Sequence, residues 1–127
     1  MEKGFVKGLK AKYAGLSIAK KSGGFNTDII LFHKWAYRVE KGWYGFALAD
    51  APNSWAAIIN DFLVELETTM PDFKIHQIKL KFGGLRFYIC FYDKCEDASK
   101  VDSVQAGIIS EEILELQDWL YSESLVY

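Results

Sequence analysis

The chain has 127 residues, of which 50% are hydrophobic and 16% aromatic, with two prolines and a formal net charge of −2. That length and apolar content suit one domain with a real core and exclude a disordered or repeat-built chain. No run reaches the roughly 18 apolar residues that a membrane-spanning helix needs, so no membrane span is expected.

The charge is split along the chain. Residues 1–22 carry six lysines against Glu2, and residues 93–127 carry nine acids against Lys94 and Lys100. Opposite ends of this kind attract each other across a fold; a basic arm also suits nucleic acid or a membrane surface, and an acidic tail a basic partner. Self-pairing is the cheaper reading.

In the first segment, Phe5, Leu9, Tyr13 and Leu16 recur at helical spacing between lysines, with Gly4, Gly8 and Gly15 weakening the pattern. The expectation is a peripheral basic helix within residues 1–22, docked on the rest. Ser22-Gly23-Gly24 reads as a turn. Residues 27–39 hold Ile29, Ile30, Leu31 and Phe32 and then Trp35, Tyr37 and Val39, which predicts one long strand or two short ones. Gly42-Trp43-Tyr44-Gly45-Phe46 reads as an extended or bent segment.

The strongest helical pattern spans 53–69. Trp55, Ile58, Ile59, Phe62, Leu63 and Leu66 fall on one face, Asn53 or Ser54 supplies a cap, and Met70-Pro71-Asp72 ends it. Residues 77–92 then form two alternating runs about Gly83-Gly84, the signature of a β-hairpin with a two-residue turn. That turn would set Phe82 opposite Leu85, Leu80 opposite Phe87 and Ile78 opposite Ile89 on a core face. Lys81 with Arg86, Lys79 with Tyr88 and Gln77 with Cys90 would line the other face. Like charges opposed across a ladder repel, so this face needs either carboxylates from the same chain, the simpler reading, or an anionic partner.

Residues 93–99 read as a polar loop. A last helix is expected over 100–121, with Val101, Val104, Ile108, Ile109, Ile113, Leu116 and Leu120 inward and Glu111, Glu112, Glu115 and Asp118 wet; Gly107 and Ser110 leave room for two shorter helices. The expected fold is a single α+β domain over residues 1–127: an antiparallel sheet containing a Gly-Gly hairpin, packed against two amphipathic helices.

The segment from Trp55 to Tyr88 resembles a family of small uncharacterised bacterial and phage proteins with a Trp-led helix, a Pro-Asp turn and a KxKFGGLRFY hairpin. The matching residues are Trp55, Leu66, Glu67, Pro71-Asp72, Gln77, Lys79 and Lys81 through Tyr88. Two departures are Leu80, where family members often carry an acid, and the lack of a cysteine-rich tail in residues 111–127. The resemblance implies the hairpin and a phage or mobile-element setting, and implies no activity.

Catalytic and metal motifs are missing from the sequence. Cys90 and Cys95 stand alone as C-x4-C, so a buried free thiol in a strand is expected at Cys90. Asp93, Glu96, Asp97 and Asp102 miss the EF-hand spacing, and no Walker, G-x-G-x-x-G or H-E-x-x-H motif is present. No cofactor or metal is expected. The expected function is a non-enzymatic protein-binding module, of an inhibitor or immunity type, in the cytoplasm. Its candidate contacts are Lys79, Lys81, Arg86, Tyr88, Trp43 and Tyr44, with Trp119 and Tyr121 as further aromatic candidates. The alternatives are a nucleic-acid or phosphate binder on the basic hairpin face, which a pI near 5.7 disfavours, and a small enzyme assembled from His33, His76 and Asp61.

Overall fold

The computed structural model describes residues 4–13, 26–48, 51–52, 54–82, 84–90 and 103–124. In chain order these form α1 (Phe5–Lys12), α2 (Asn26–Trp35) with a 3-10 turn (Ala36–Arg38), β1 (Gly45–Ala47), α3 (Ser54–Thr69), β2 (Lys74–Lys81), β3 (Gly84–Cys90) and α4 (Ser103–Ser124). The fold is α+β. The expected loop over 93–99 and the Asn53 cap lie outside the described residues.

The pattern that predicts α3 also explains its burial. Trp55, Ile58, Ile59, Phe62, Leu63 and Leu66 are all sealed from solvent. Phe62 is the hub, with its ring centroid 5.6 Å from Phe87 of β3 and 5.9 Å from Phe5 of α1. Ser54 does not cap this helix: its hydroxyl is buried without a hydrogen bond.

The sheet has three strands in the order β1-β2-β3 and is mixed, not purely antiparallel. β1 runs parallel to β2, because α3 carries the chain back to the starting edge between them. The described residues include four helices rather than two.

The expected strand over 27–39 is replaced by α2 and its 3-10 turn. Thr27, Leu31 and Trp35, at i, i+4 and i+8, are buried, while Ile29, Ile30 and Phe32 are exposed. The β-branched run favours a strand locally, but packing on α3 decides, with Trp35 Nε1 donating to Asn60 Oδ1 at 3.0 Å.

Both outer edges of the sheet are met by a helix side chain. Gln117 of α4 accepts from the Phe87 N–H at 2.9 Å. Asp28 of α2 accepts from the N–H of Leu48, just past β1, at 2.6 Å. Satisfied edge donors discourage pairing with another chain. Gly84 lets α4 come close, since a Cβ there would sit 3.0 Å from the Tyr121 ring.

Part of the split charge is spent inside the fold. Glu112, expected on the wet side of the last helix, is 1% exposed. Its carboxylate accepts from the backbone N–H groups of Gly4 and of Val6, the latter at 2.8 Å, and so caps α1 from a distant helix. Lys10 pairs with Glu115 at 3.2 Å, and Lys12 with Asp61 at 2.6 Å. The basic helix is therefore docked on α3 and α4, with Val6 and Leu9 in the core. α4 is one continuous helix, and Gly107 does not break it. Cys90 is disulfide-bonded, not a free thiol; Cys95 is the other cysteine of the sequence and lies outside the described residues.

A second ionic cluster ties the 3-10 turn to α3. Arg38 reaches Glu67 at 2.8 Å and stacks 4.8 Å from the Phe73 ring centre, and the Tyr37 hydroxyl donates to the same carboxylate. The hydrogen bonds from Tyr37 and Arg38 hold the Glu67 carboxyl below its ordinary value of 4.5. At Asp61, burial raises the carboxyl, but hydrogen bonds from Lys12 and Tyr13, with the nearby charge of Lys34, outweigh it and hold it below 3.8. Burial and the same hydrogen bond push the Tyr13 phenol up to about 12.

Two predictions follow from these contacts. Replacing Glu112→Ala leaves two α1 donors without their acceptor and should cost about 2–3 kcal/mol, read by urea denaturation, with Glu112→Gln recovering part of it. Both lowered carboxyls bind fewer protons folded than unfolded, so their contribution is complete above their ordinary values and drains as the pH falls through the lowered ones. An Asp61→Asn/Glu67→Gln double variant should be less stable at neutral pH. It should also lose less stability between about pH 5 and pH 3 than the parent; equal slopes would refute the assignment.

Candidate functional site

The hairpin differs from the expected one in register. Lys81 opposes Gly84, Leu80 opposes Leu85, Lys79 opposes Arg86 and Ile78 opposes Phe87, and Phe82 stands in the turn. The pairing has slipped by two residues, and a slip of two preserves which face each side chain takes, whereas a slip of one would reverse it. Ile78, Leu80, Leu85 and Phe87 therefore stay on the core face, and Lys79, Lys81, Arg86 and Tyr88 stay on the other. Phe82 alone changes place, from the core to the tip.

A bulge interrupts β2 between Ile75 and Gln77. Ile75 and Ile78 are both buried, so His76 and Gln77 in succession turn away from the core. On the other side of β2 the chain is also interrupted. Val39 bridges Ile75 and Gly45 pairs with Gln77, leaving residues 40–44 to loop outward. The two irregularities meet. Trp43 stacks on the His76 ring, with centroids 4.2 Å apart and planes within 6°. His76 Nε2 lies 3.0 Å from Glu40 Oε2. Gly45 permits the return of the loop, with a φ of +73° and a Cβ position only 3.3 Å from Val39.

The result is a strip of cations and rings along β2, running about 17 Å from His76 to Lys81. Lys79 and Arg86 are directly opposed, and Lys79 Nζ lies 5.4 Å from the Tyr88 ring centre. Lys81 Nζ lies 5.6 Å from the Phe82 ring centre, and Arg86 donates to the Leu85 carbonyl at 3.0 Å. Among the described residues, no carboxylate makes an ion pair with Lys79, Lys81 or Arg86. The contacts resolved for Glu112 and Glu115 of α4 go to α1. Ala47, beside Lys79 on β1, is too small to cover it.

The structure brings together most of the residues singled out from the sequence. Tyr88 and Trp43 are about half exposed, and Tyr44 is 81% exposed beside Trp43. Tyr121 lies against Gly84 near Arg86, while Trp119 packs against the core and leaves the set. Sequence reasoning undervalued His76. Its signal was the break in alternation at Ile75-His76-Gln77-Ile78, which marks a bulge. His33, His76 and Asp61 do not share a hydrogen bond: His76 engages Glu40 and Trp43, Asp61 engages Lys12 and Tyr13, and His33 is exposed on α2. Among the described residues no metal-holding cluster occurs, and no helix is long and apolar enough to cross a membrane. The acids Asp93, Glu96, Asp97 and Asp102 lie outside them. No protein-family profile, curated protein or solved structure matches the chain.

The opposed cations make a stability test of the site. Arg86→Glu converts the Lys79 contact from repulsive to attractive and should raise stability by about 0.5 kcal/mol in denaturant melts. A fall of that size would mean that Arg86 is held by something other than its open-face surroundings.

Proposed function

We propose that this protein is a non-enzymatic binding module that docks the open face of its sheet on an acidic surface of a partner protein. The observation that carries the reading is the Lys79–Arg86 pair, two like charges directly opposed with no carboxylate paired to either among the described residues. An arrangement that costs free energy in the isolated chain is relieved when an anionic surface arrives. Tyr88, Trp43 and Tyr44 supply the aromatic contact area common at interface centres. Blocking a target by occupying its surface needs no further chemistry, which fits an inhibitor or immunity-type role. The hairpin motif's resemblance to bacterial and phage proteins favours a setting of phage–host or interbacterial conflict.

Single-stranded nucleic acid is the second reading. A cation over an exposed ring, as in Lys79 and Tyr88, is also how sheets hold phosphates and stack bases. The net charge of −2 weighs against it, because a dedicated nucleic-acid domain is usually basic. A cytoplasmic setting belongs to the proposal as well. The disulfide at Cys90 pulls against it, since reducing compartments keep thiols free.

Affinity capture from the native host at moderate salt, after nuclease treatment, should yield a stoichiometric protein complex. The Lys79→Ala/Lys81→Ala/Arg86→Ala triple variant should lose that complex while melting no lower than the parent. Fluorescence titration of the intact protein with single-stranded oligonucleotides should show no binding at physiological salt. A complex that dissolves with nuclease, or oligonucleotide binding that the triple variant abolishes, would overturn the protein-partner reading in favour of the second.

A further inference from the structure

Two unfavourable features fall on one residue at the hairpin tip. Phe82 holds a φ of +53°, in the left-handed region that bulky L side chains rarely adopt. Its ring is also 85% exposed. Core packing dictates the register, because Leu80 against Leu85 and Ile78 against Phe87 fill the space under α3. It does not dictate the residue at the tip. Glycine, asparagine or aspartate would take the same backbone at lower cost. Strain kept on a solvated aromatic is a pointer to function.

The surroundings describe what such a ring would enter. Lys81 lies over Phe82, and the Arg86 guanidinium and the Tyr121 ring crowd Gly84 beside the turn. The tip is thus an aromatic ring rimmed by two cations, with no carboxylate among their described contacts. Its complement is an apolar pocket with an acidic rim. The sheet edges offer a partner less: the Phe87 and Leu48 N–H groups already donate to Gln117 and Asp28. Contact through face and tip is therefore favoured over addition of a strand.

We propose that Phe82 is the anchor of the interface: its ring inserts into an acid-rimmed apolar pocket on the protein partner while Lys81 and Arg86 meet the rim. This rests on the protein-partner reading of the open face. A ring held in place by a preset turn loses little freedom on binding, which suits an anchor. An anionic bilayer would also accept a cation-rimmed ring, but the acidic outer side of α4 and the net charge of −2 disfavour it.

The test places the photocrosslinker p-benzoylphenylalanine at position 82, and separately at position 88, in the full chain in its host cells. Both positions should give an adduct with the same protein, and Lys81→Ala/Arg86→Ala should deplete it at position 82. With that partner purified, Phe82→Asn should weaken binding by roughly 30-fold, the scale of an interface hot spot. Its melting temperature should hold or rise, because asparagine tolerates the left-handed turn; a merely structural Phe82 would lower it. An adduct at 88 without one at 82, or Phe82→Asn binding like the parent, overturns the anchor and leaves the face reading standing. No protein adduct at either position overturns both. Retention on phosphatidylserine–phosphatidylcholine vesicles that Phe82→Asn abolishes, without a protein adduct at 82, overturns the anchor and assigns the tip to a bilayer.

Discussion

The register of the β2–β3 hairpin is the constraint on which the rest depends. Leu80 meets Leu85 and Ile78 meets Phe87, and these four side chains make the floor on which α3 lies. The alternative turn on two glycines is easier locally. It would put Phe82 into the core and move Phe87 and Ile89 out of line with Phe62. Burying a large apolar side chain is worth about 2 kcal/mol, and several such contacts outweigh one strained residue at the tip. The exposed ring and the opposed cations both follow from that choice.

The described helices pack on the core face of the sheet and at its two edges. α3 covers the core face, α4 seals the β3 edge through Gln117, and α2 reaches the end of β1 through Asp28. Acidic side chains are committed to this assembly. Glu112 caps α1, Glu115 and Asp61 take its lysines, and Glu67 takes Arg38. Among the described residues no carboxylate pairs with Lys79, Lys81 or Arg86, although the chain as a whole carries more acids than bases. Net charge is therefore a poor guide to the character of the open face, and the distribution of partners is the better one.

The two breaks in the sheet also belong together. A bulge at His76 on β2 and an outward loop over residues 40–44 sit side by side, and Trp43 stacked on His76 fills the gap they create. Either break alone would leave backbone groups or an aromatic ring without neighbours. Together they bring an imidazole and an indole into a stack beside the regular part of the hairpin.

Periodicity in the sequence by itself determined α3, the hairpin, the inward stripe of α4 and which hairpin side chains face away from the core. A strong alternation or a repeat of 3.6 survives almost any tertiary context, and a two-residue slip leaves face assignment intact. The open-face residues Lys79, Lys81, Arg86 and Tyr88 were legible for the same reason. Tertiary structure alone decided that residues 26–35 are helical, because their β-branched run says strand until α3 offers Trp35 a place and a partner in Asn60. It alone decided that Glu112 is buried, since its ligands are backbone groups more than 100 residues away. It alone put Phe82 at the tip, because the choice between two turns rests on how well the core fills, and that sum is made only when the helices are in place.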